Sequence, residues 1–278
     1  MALAKVADVA VVSVAVTSTE GFDRFNLGLG AQQDKLVASV AAAAKKTVVV
    51  VRSPGAILMP WLDKVDAVIV QFLPGQASGD ALASTLFGAV ACAQKVCAFS
   101  PSGRLPLSFP VSESDTWLKT IAQYPGTEQA GTAQPRYIAT YSEKLEIGYR
   151  WFDAQKIAPL FPFGHGLSFS SFVYADLKVR KDFVTFTVKN AGKVDAAEVA
   201  QLYLGFPASA GEPPQLLRGF QKMLIEKGDT KIFQLPLSDR DLSIWDVKTH
   251  GWVVVKGEFK MFVGASSRDI RLTGKLTV

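Results

Sequence analysis

The chain contains few residues of the types that bind metals or form disulfides. Its 278 residues include two cysteines, two histidines and four methionines. Four residues separate Cys92 from Cys97, and neither His165 nor His250 is near them in the sequence. We therefore expect two free thiols rather than a disulfide or half of a metal site. The sequence implies neither a metal nor an organic cofactor.

Long apolar runs and dense clusters of basic residues are also absent. No apolar run approaches the roughly 18 residues that a membrane-spanning helix needs. Residues 5–16 have the outline of a signal peptide, but Asp8 interrupts the apolar core and no small-residue cleavage site follows. The net charge is +5, yet basic residues are scattered and form nothing longer than pairs such as Lys45-Lys46. We expect neither a membrane nor a nucleic-acid partner, and the compartment stays open.

The first 110 residues predict strands that alternate with helices. Three apolar runs indicate strands, namely residues 9–16, 47–51 and 67–72. Two segments favour helices, namely residues 32–44, with Leu36, Val37 and Val40 on one face, and residues 81–87. Such alternation predicts a parallel sheet with helical crossovers. Because the apolar runs lack polar alternation, we expect strands that are covered on both faces.

The remainder of the chain predicts a different architecture. Residues 111–140 are rich in Ser, Thr, Gln, Gly and Pro, and we interpret them as a surface linker. Short alternating strands follow, namely residues 184–188, 199–204, 232–237, 252–255 and 259–263. The expected fold class is α/β, a partial parallel α/β sandwich layer followed by an antiparallel β-sandwich. The expected domains are residues 1–168 and 169–278.

The most informative motif follows the first expected strand. Residues 17–33 read Thr-Ser-Thr-Glu-Gly-Phe-Asp-Arg-Phe-Asn-Leu-Gly-Leu-Gly-Ala-Gln-Gln. Glu20 therefore lies in a loop at the carboxyl end of a strand, where α/β sheets usually carry their chemistry. The adjacent Asp23 and Arg24 are candidates for an ion pair within this loop. The motif resembles the Glu-Gly-(aromatic)-Asp-Arg loop of glycoside hydrolase family 3, the β-glucosidase-like enzymes, and this resemblance implies that Glu20 is the general acid/base.

Further landmarks of family 3 follow in order along the chain. They are Pro74-Gly75-Gln76, Leu86-Phe87-Gly88, residues 101–110, Tyr141-Ser142-Glu143, Gly148-Tyr149-Arg150, residues 161–167 and Leu217-Arg218-Gly219-Phe220. By this resemblance, residues 1–168 are an incomplete α/β sandwich domain and residues 169–278 are a fibronectin type III-like domain. The sequence departs from the family pattern at Ala77, where the family usually has glutamate. It departs again at residues 89–99, which replace a shorter link.

The resemblance implies two catalytic carboxylates, of which this sequence supplies one. Retaining glycosidases hold a nucleophile and an acid/base about 5 Å apart. In family 3 the nucleophilic aspartate lies on a barrel domain before this region, and only 19 residues precede Glu20 here. We therefore expect the barrel and the opening part of the sandwich domain to lie outside this sequence. None of the other candidate carboxylates has a spacing that indicates a pair with Glu20, namely Asp63, Asp66, Asp80, Glu143, Glu146 and Asp153.

Two functions of different classes remain open. The first is hydrolysis of terminal β-glucosidic bonds with retention, in which this chain supplies the acid/base portion. Its substrate would be a β-glucoside or oligosaccharide, and its partner a barrel-bearing chain or another copy of itself. The second is a non-catalytic carbohydrate-binding or protein-interaction module derived from a β-glucosidase. Without the family resemblance, Glu20 is more simply interpreted as a solvated loop carboxylate, and His165 as a buried, hydrogen-bonded histidine rather than a base.

Overall fold

The computed structural model describes residues 2–92, 95–98, 100–131 and 134–278. These form two compact units, residues 2–79 with 109–115, and residues 80–108 with 116–278. The described α-helices are α1 (Ala2–Val6), α2 (Ala31–Ala41), α3 (Ser78–Phe87) and α4 (Tyr149–Ala154). The expected domain boundary after residue 168 and the linker at residues 111–140 stay predictions.

The first unit is built on a parallel three-stranded sheet, as the apolar runs predict. Its strands are β1 (Ala10–Ala15), β2 (Thr47–Arg52) and β3 (Ala67–Gln71), in that spatial order. The central strand β2 is buried on both faces, since the side chains of Val49, Val50 and Val51 are all inaccessible to solvent. Because all three strands are parallel, their carboxyl ends lie at one edge of the sheet.

The expectation that every strand is covered on both faces is wrong for β1. Val12 and Val14 are buried, but Val11 between them is 52% exposed. Among the described residues the strand pairs only with β2, so it is an edge strand, and Val11, together with residues of α1 and α2, lines an open cavity instead of being covered. Leu36 of α2 is also exposed, although Val37 beside it is fully buried.

The second unit contains the antiparallel strands, and all five segments expected there are strands. The described strands of this unit are β4 (Ala89–Cys92), β5 (Lys95–Ala98), β6 (Thr127–Glu128), β7 (Tyr137–Ile138), β8 (Phe172–Val179), β9 (Phe183–Asn190), β10 (Ala196–Gly205), β11 (Leu216–Ile225), β12 (Thr230–Pro236), β13 (Ser243–Asp246), β14 (Gly251–Val254), β15 (Glu258–Gly264) and β16 (Ile270–Thr277). A four-stranded sheet in the order β11-β10-β15-β16 packs against a three-stranded sheet in the order β12-β9-β8. The shared core contains stacked rings of Phe186 and Phe233, whose centroids are 5.4 Å apart.

A segment that sequence places with the α/β half belongs to this second unit. The guanidinium of Arg104 donates to the Glu198 carboxylate of β10 over 3.0 Å, and both side chains are buried. The backbone of Leu105 exchanges hydrogen bonds with His165 and Gly164 at 2.8 Å each. The 89–99 insertion contributes the hairpin of β4 and β5. The side chains of Cys92 and Cys97 lie outside the described residues, so their free thiols stay a prediction.

The described residues contain neither a candidate membrane span nor a candidate metal cluster. No helix there is both long and apolar enough to cross a bilayer. No group of three or more His, Cys, Asp or Glu side chains in the same residues is arranged to hold a metal ion.

Candidate active site

Glu20 lies on a tight turn just beyond the carboxyl end of β1. The N–H of Phe22 donates to the carbonyl of Thr19 over 3.1 Å, which closes a four-residue turn with Glu20 and Gly21 at its centre. Gly21 has φ +81°, the left-handed value that the third residue of a type II turn requires. Glycine adopts it without the steric cost that a Cβ atom brings. Glu20, the second residue of this turn, is exposed to solvent.

The carboxylate of Glu20 is exposed and makes no hydrogen bond or ion pair with any described residue. An isolated, solvated carboxylate meets only one requirement of a glycosidase acid, which is access to a substrate. A second carboxylate and a water-excluding environment are the others. Among the described residues, the nearest carboxylate in sequence is Asp23, which is itself exposed, so the turn is not enclosed from water. The turn is thus one part of a site whose remaining parts would have to come from elsewhere.

The base of the same loop is tied to the segment after β2. Arg24 donates from Nη2 to the carbonyl of Ala56 over 3.1 Å. Leu27 accepts at its carbonyl from the N–H of Leu58 over 2.9 Å and donates its own N–H to Oε1 of Glu113 over 2.6 Å. The tip of the loop is therefore free, whereas its return path is fixed by hydrogen bonds to two other segments of the unit.

The suggested ion pair between Asp23 and Arg24 is wrong. Asp23 is exposed, and the guanidinium of Arg24 turns inward to Ala56 instead. Nη1 of Arg24 is buried without a hydrogen-bond partner among the described residues. An unsatisfied buried donor costs about 1–3 kcal/mol, so this arginine is retained in a position that is locally unfavourable.

Exposed aromatic and aliphatic side chains lie in the loop and at the same edge of the sheet. Phe22 is 76% exposed and Phe25 is fully exposed, and both belong to the loop that carries Glu20. Leu73, which follows the carboxyl end of β3 at the same edge of the sheet, is 83% exposed. Large exposed apolar patches mark surfaces that contact a ligand or another polypeptide, and these three side chains are candidates for such a patch.

The alternative carboxylates of the first unit lie at the opposite edge of the sheet from Glu20. Asp66 accepts from the N–H of Thr47, the first residue of β2, over 2.7 Å. Asp63 lies in the short turn that leads into β3. Because the strands are parallel, the amino ends of β2 and β3 lie away from the carboxyl end of β1. Neither residue can therefore form a carboxylate pair with Glu20 within this unit.

The candidate carboxylates of the second unit have structural partners or lie at a helix start. Asp153 pairs with Arg268 over 2.6 Å and accepts from Gln215 over 2.9 Å. The remaining three are Glu143, which accepts from Gln123, Glu146, which accepts from Gln155, and Asp80, which lies in the first turn of α3. These positions indicate a structural role for each of the four carboxylates.

His165 is half-buried and stacked rather than hydrogen-bonded through its ring. Its imidazole lies parallel to the ring of Phe161, with centroids 5.4 Å apart, and donates to no described residue. The hydrogen bonds of His165 are made by its backbone, which accepts from Leu105 over 2.8 Å and donates to Pro162 over 3.1 Å. Burial, and after it the charge of Arg104, lowers the pKa of His165. No described residue accepts a hydrogen bond from the ring N–H, so nothing orients the imidazole as the partner carboxylate of a catalytic histidine does.

Comparison with known proteins decides the family. A family model described as the glycosyl hydrolase family 3 C-terminal domain matches residues 1–169, well over half of the chain. This chain belongs to glycoside hydrolase family 3. A second model, the fibronectin type III-like domain, matches residues 198–267. The family and the fold class expected from the sequence are thereby confirmed.

Relatives of this family 3 chain are named as β-glucosidases and are much longer. A probable beta-glucosidase L of Aspergillus terreus is 39% identical over 98% of this chain. A thermostable beta-glucosidase B of Acetivibrio thermocellus is 36% identical, also over 98%. The chain spans 39% and 35% of these two relatives.

Solved structures give the same result for the fold. DesR, a beta-glucosidase from Streptomyces venezuelae in complex with D-glucose, superposes with a TM-score of 0.90 at 37% identity over 99% of this chain. The Beta-D-glucoside glucohydrolase of Trichoderma reesei gives a TM-score of 0.86 at 35% identity over the whole chain. This chain covers 34% and 41% of those two structures.

The role of Glu20 stays a prediction, because neither the family match nor the similar folds test it. Sequence reasoning identified Glu20 but missed Glu113, which binds the same loop. The two residues are 93 positions apart in the chain, and no local pattern connects them. Only the acidic character of the 111–115 segment, which contains Glu113 and Asp115, offered a signal.

Proposed function

We propose that this chain is the acid/base-bearing portion of a retaining β-glucosidase. Glu20 protonates the departing glycosidic oxygen in the first step and, as the carboxylate, deprotonates the attacking water in the second. A nucleophilic carboxylate on polypeptide outside these 278 residues attacks the anomeric carbon and forms the covalent sugar ester. The substrate is a terminal β-linked glucosyl residue.

One observation carries this proposal, namely the exposed, unpartnered Glu20 on a glycine turn in a family 3 chain. A proton donor must approach a substrate oxygen directly, so it cannot be committed to an internal ion pair. The other carboxylates of the first unit fall into three groups: Asp8, Asp63 and Asp66 lie at the amino ends of the strands, Asp23 shares the loop with Glu20, and Asp34, Glu113 and Asp115 accept hydrogen bonds within the unit. Retention requires a partner carboxylate within about 5.5 Å, and this unit offers none that could serve.

Exposed apolar side chains in the first unit support the proposal that another polypeptide binds there. Phe22, Phe25 and Leu73 are exposed around the loop, and Val11 is exposed on the open face of β1. The relatives contain well over half of their length beyond the part that matches this chain. A barrel-bearing polypeptide that covers this surface would bring the nucleophile to Glu20 and exclude water from the site.

The alternative, a carbohydrate-binding module, rests on one pair of residues. Trp245 and Trp252 face each other across β13 and β14, and each is 46% exposed. Indole rings stack on sugar faces, but their centroids are 5.4 Å apart at 63°, and Arg240 covers one face of Trp252. This edge-to-face corner offers less flat surface than a stacking platform. Hydrolysis is therefore the better supported function.

The test compares Glu20→Gln with Asp23→Asn, a matched change at an exposed carboxylate of the same loop. Both variants and the unaltered chain are assayed alone and mixed with the nucleophile-bearing polypeptide of a family 3 relative. We expect Glu20→Gln to lower turnover of a β-linked glucose disaccharide by about 10²–10⁴-fold, the usual contribution of a general acid. Asp23→Asn is expected to leave turnover close to that of the unaltered chain.

Equal activity of Glu20→Gln and Asp23→Asn would remove Glu20 from the mechanism. A chain that binds oligosaccharides but yields no turnover with any such polypeptide would instead favour the binding module. The solution mass of each mixture separates a hetero-complex from an assembly of identical chains.

A further inference from the structure

The contacts within the Glu20 turn do not fix the position of the turn relative to the rest of the unit. Its single internal hydrogen bond joins Phe22 to Thr19 within the turn, and the Glu20 side chain touches no described partner. Gly21 at the centre has no atom within 4 Å of its notional Cβ position, so the surroundings do not confine the backbone there. The orientation of Glu20 must therefore be set where the loop returns to the body of the unit.

Two side chains hold that return path at successive points. Arg24 donates to the carbonyl of Ala56 over 3.1 Å, four residues after Glu20. Glu113 accepts the N–H of Leu27 over 2.6 Å. A charged acceptor makes a stronger hydrogen bond than a neutral one, because its oxygen carries a full negative charge. The two contacts bracket residues 24–27 and leave residues 17–23 free.

The segment to which the loop is tied is itself fixed in the core. Ile57 is fully buried and Met59 is 5% exposed, directly beside the Ala56 carbonyl and the Leu58 N–H that bind the loop. Trp61 is also buried, and its Nε1 donates to Asp34 of α2 over 2.9 Å. The hydrogen bonds to this buried segment therefore fix the position of the loop base relative to the edge of the sheet.

We propose that Arg24 and Glu113 are positioning residues that act through Glu20. They clamp the base of the loop, so that the proton donor on its tip visits a narrow range of positions. This explains why the buried, unsatisfied Nη1 of Arg24 is tolerated. The catalytic part of this proposal rests on the proposed function, whereas the clamp itself does not.

Hydrogen exchange of the isolated chain tests the clamp without any need for turnover. In Arg24→Ala and Glu113→Ala we expect the amides of Leu27 and Leu58 to exchange about threefold to tenfold faster, as the loop base opens locally. Arg52→Ala is the matched control, since the side chain of this arginine bonds Gln71 in the same unit, and its backbone bond to Val16 is kept in the variant. Its Leu27 and Leu58 amides should exchange at the unaltered rate.

Conservative variants separate a specific clamp from a general loss of packing. Glu113→Gln keeps an oxygen acceptor for Leu27, and Arg24→Lys keeps a cationic donor, so we expect both to restore most of the protection. Unchanged exchange in the alanine variants overturns the clamp. Failure of Glu113→Gln to restore protection, or faster exchange across the whole unit, overturns it as well.

Leaving-group dependence tests the action through Glu20. With the nucleophile-bearing polypeptide present, Arg24→Ala should lower kcat/KM, which reports the first step, at least about tenfold more for an alkyl glucoside than for a dinitrophenyl glucoside, whose leaving group departs without protonation. Equal losses on both substrates overturn the positioning role. If no preparation turns over either substrate, the proposed function fails together with the action through Glu20, and the exchange result still decides the clamp.

Discussion

Glu20 and Arg24 have opposite surroundings although only three residues separate them. The glycine turn lifts Glu20 into solvent, while the chain reverses and directs Arg24 to the carbonyl of Ala56. The sequence predicts the exposure of Glu20, because a loop after an apolar strand is a local feature. It does not predict the partner of Arg24, because an adjacent aspartate is the simpler candidate. Nothing in the sequence indicates that Arg24 donates to the carbonyl of Ala56, which lies 32 residues further along the chain.

His165 gives a prediction at the same scale. Burial, followed by the charge of Arg104, lowers its pKa below the ordinary 6.5. A histidine with a lowered pKa binds its proton less tightly in the folded state. Its contribution to stability is therefore complete above about pH 6.5 and is lost as the pH falls towards the folded pKa. His165→Phe keeps the stacking on Phe161 and removes this titration.

Thermal unfolding at about pH 7.5 and pH 5 measures the effect. The unaltered chain should lose more of its unfolding temperature between these two values than His165→Phe does. An identical acid-induced loss in both proteins would show that His165 does not contribute to the pH dependence.

At the scale of elements, the apolar runs predicted the positions of the strands correctly. They did not predict which faces of those strands are covered by other elements. Residues 9–16 and 47–51 look alike in sequence, yet β2 is buried on both faces while Val11 of β1 is exposed. Coverage depends on what lies beside a strand, and a run of valines does not specify that. The same limit applies to residues 100–108, which group with the β-sandwich through Arg104 and Glu198.

The Arg104–Glu198 pair provides the prediction at this scale. Both side chains are buried, and Glu198 Oε1 also accepts the hydroxyl of Tyr174 over 3.2 Å. Arg104→Ala leaves the carboxylate buried without its counter-ion, which should lower the free energy of unfolding by about 3–5 kcal/mol. Lys275→Ala breaks a solvent-exposed pair with Glu258 and should cost about 1 kcal/mol or less. Urea unfolding measures both, and similar small losses would contradict the importance of the buried pair.

At the scale of the molecule, the order of several weak motifs predicted more than any single motif did. The family landmarks, from Pro74-Gly75-Gln76 to Leu217-Arg218-Gly219-Phe220, identified both architectures correctly. The chain carries one candidate catalytic carboxylate at an exposed apolar edge and spans well under half of its β-glucosidase relatives. The proposed two-carboxylate reaction, divided between this chain and further polypeptide, is consistent with these features.

Covalent trapping tests this division most directly. A fluorinated β-glucoside that arrests the sugar ester of retaining enzymes is incubated with the purified chain, alone and with the nucleophile-bearing polypeptide. Intact mass spectrometry then shows which polypeptide carries the sugar. We predict that the label appears only on the added polypeptide and that the mass of the 278-residue chain stays unchanged. A sugar ester on any side chain of this protein would contradict the account.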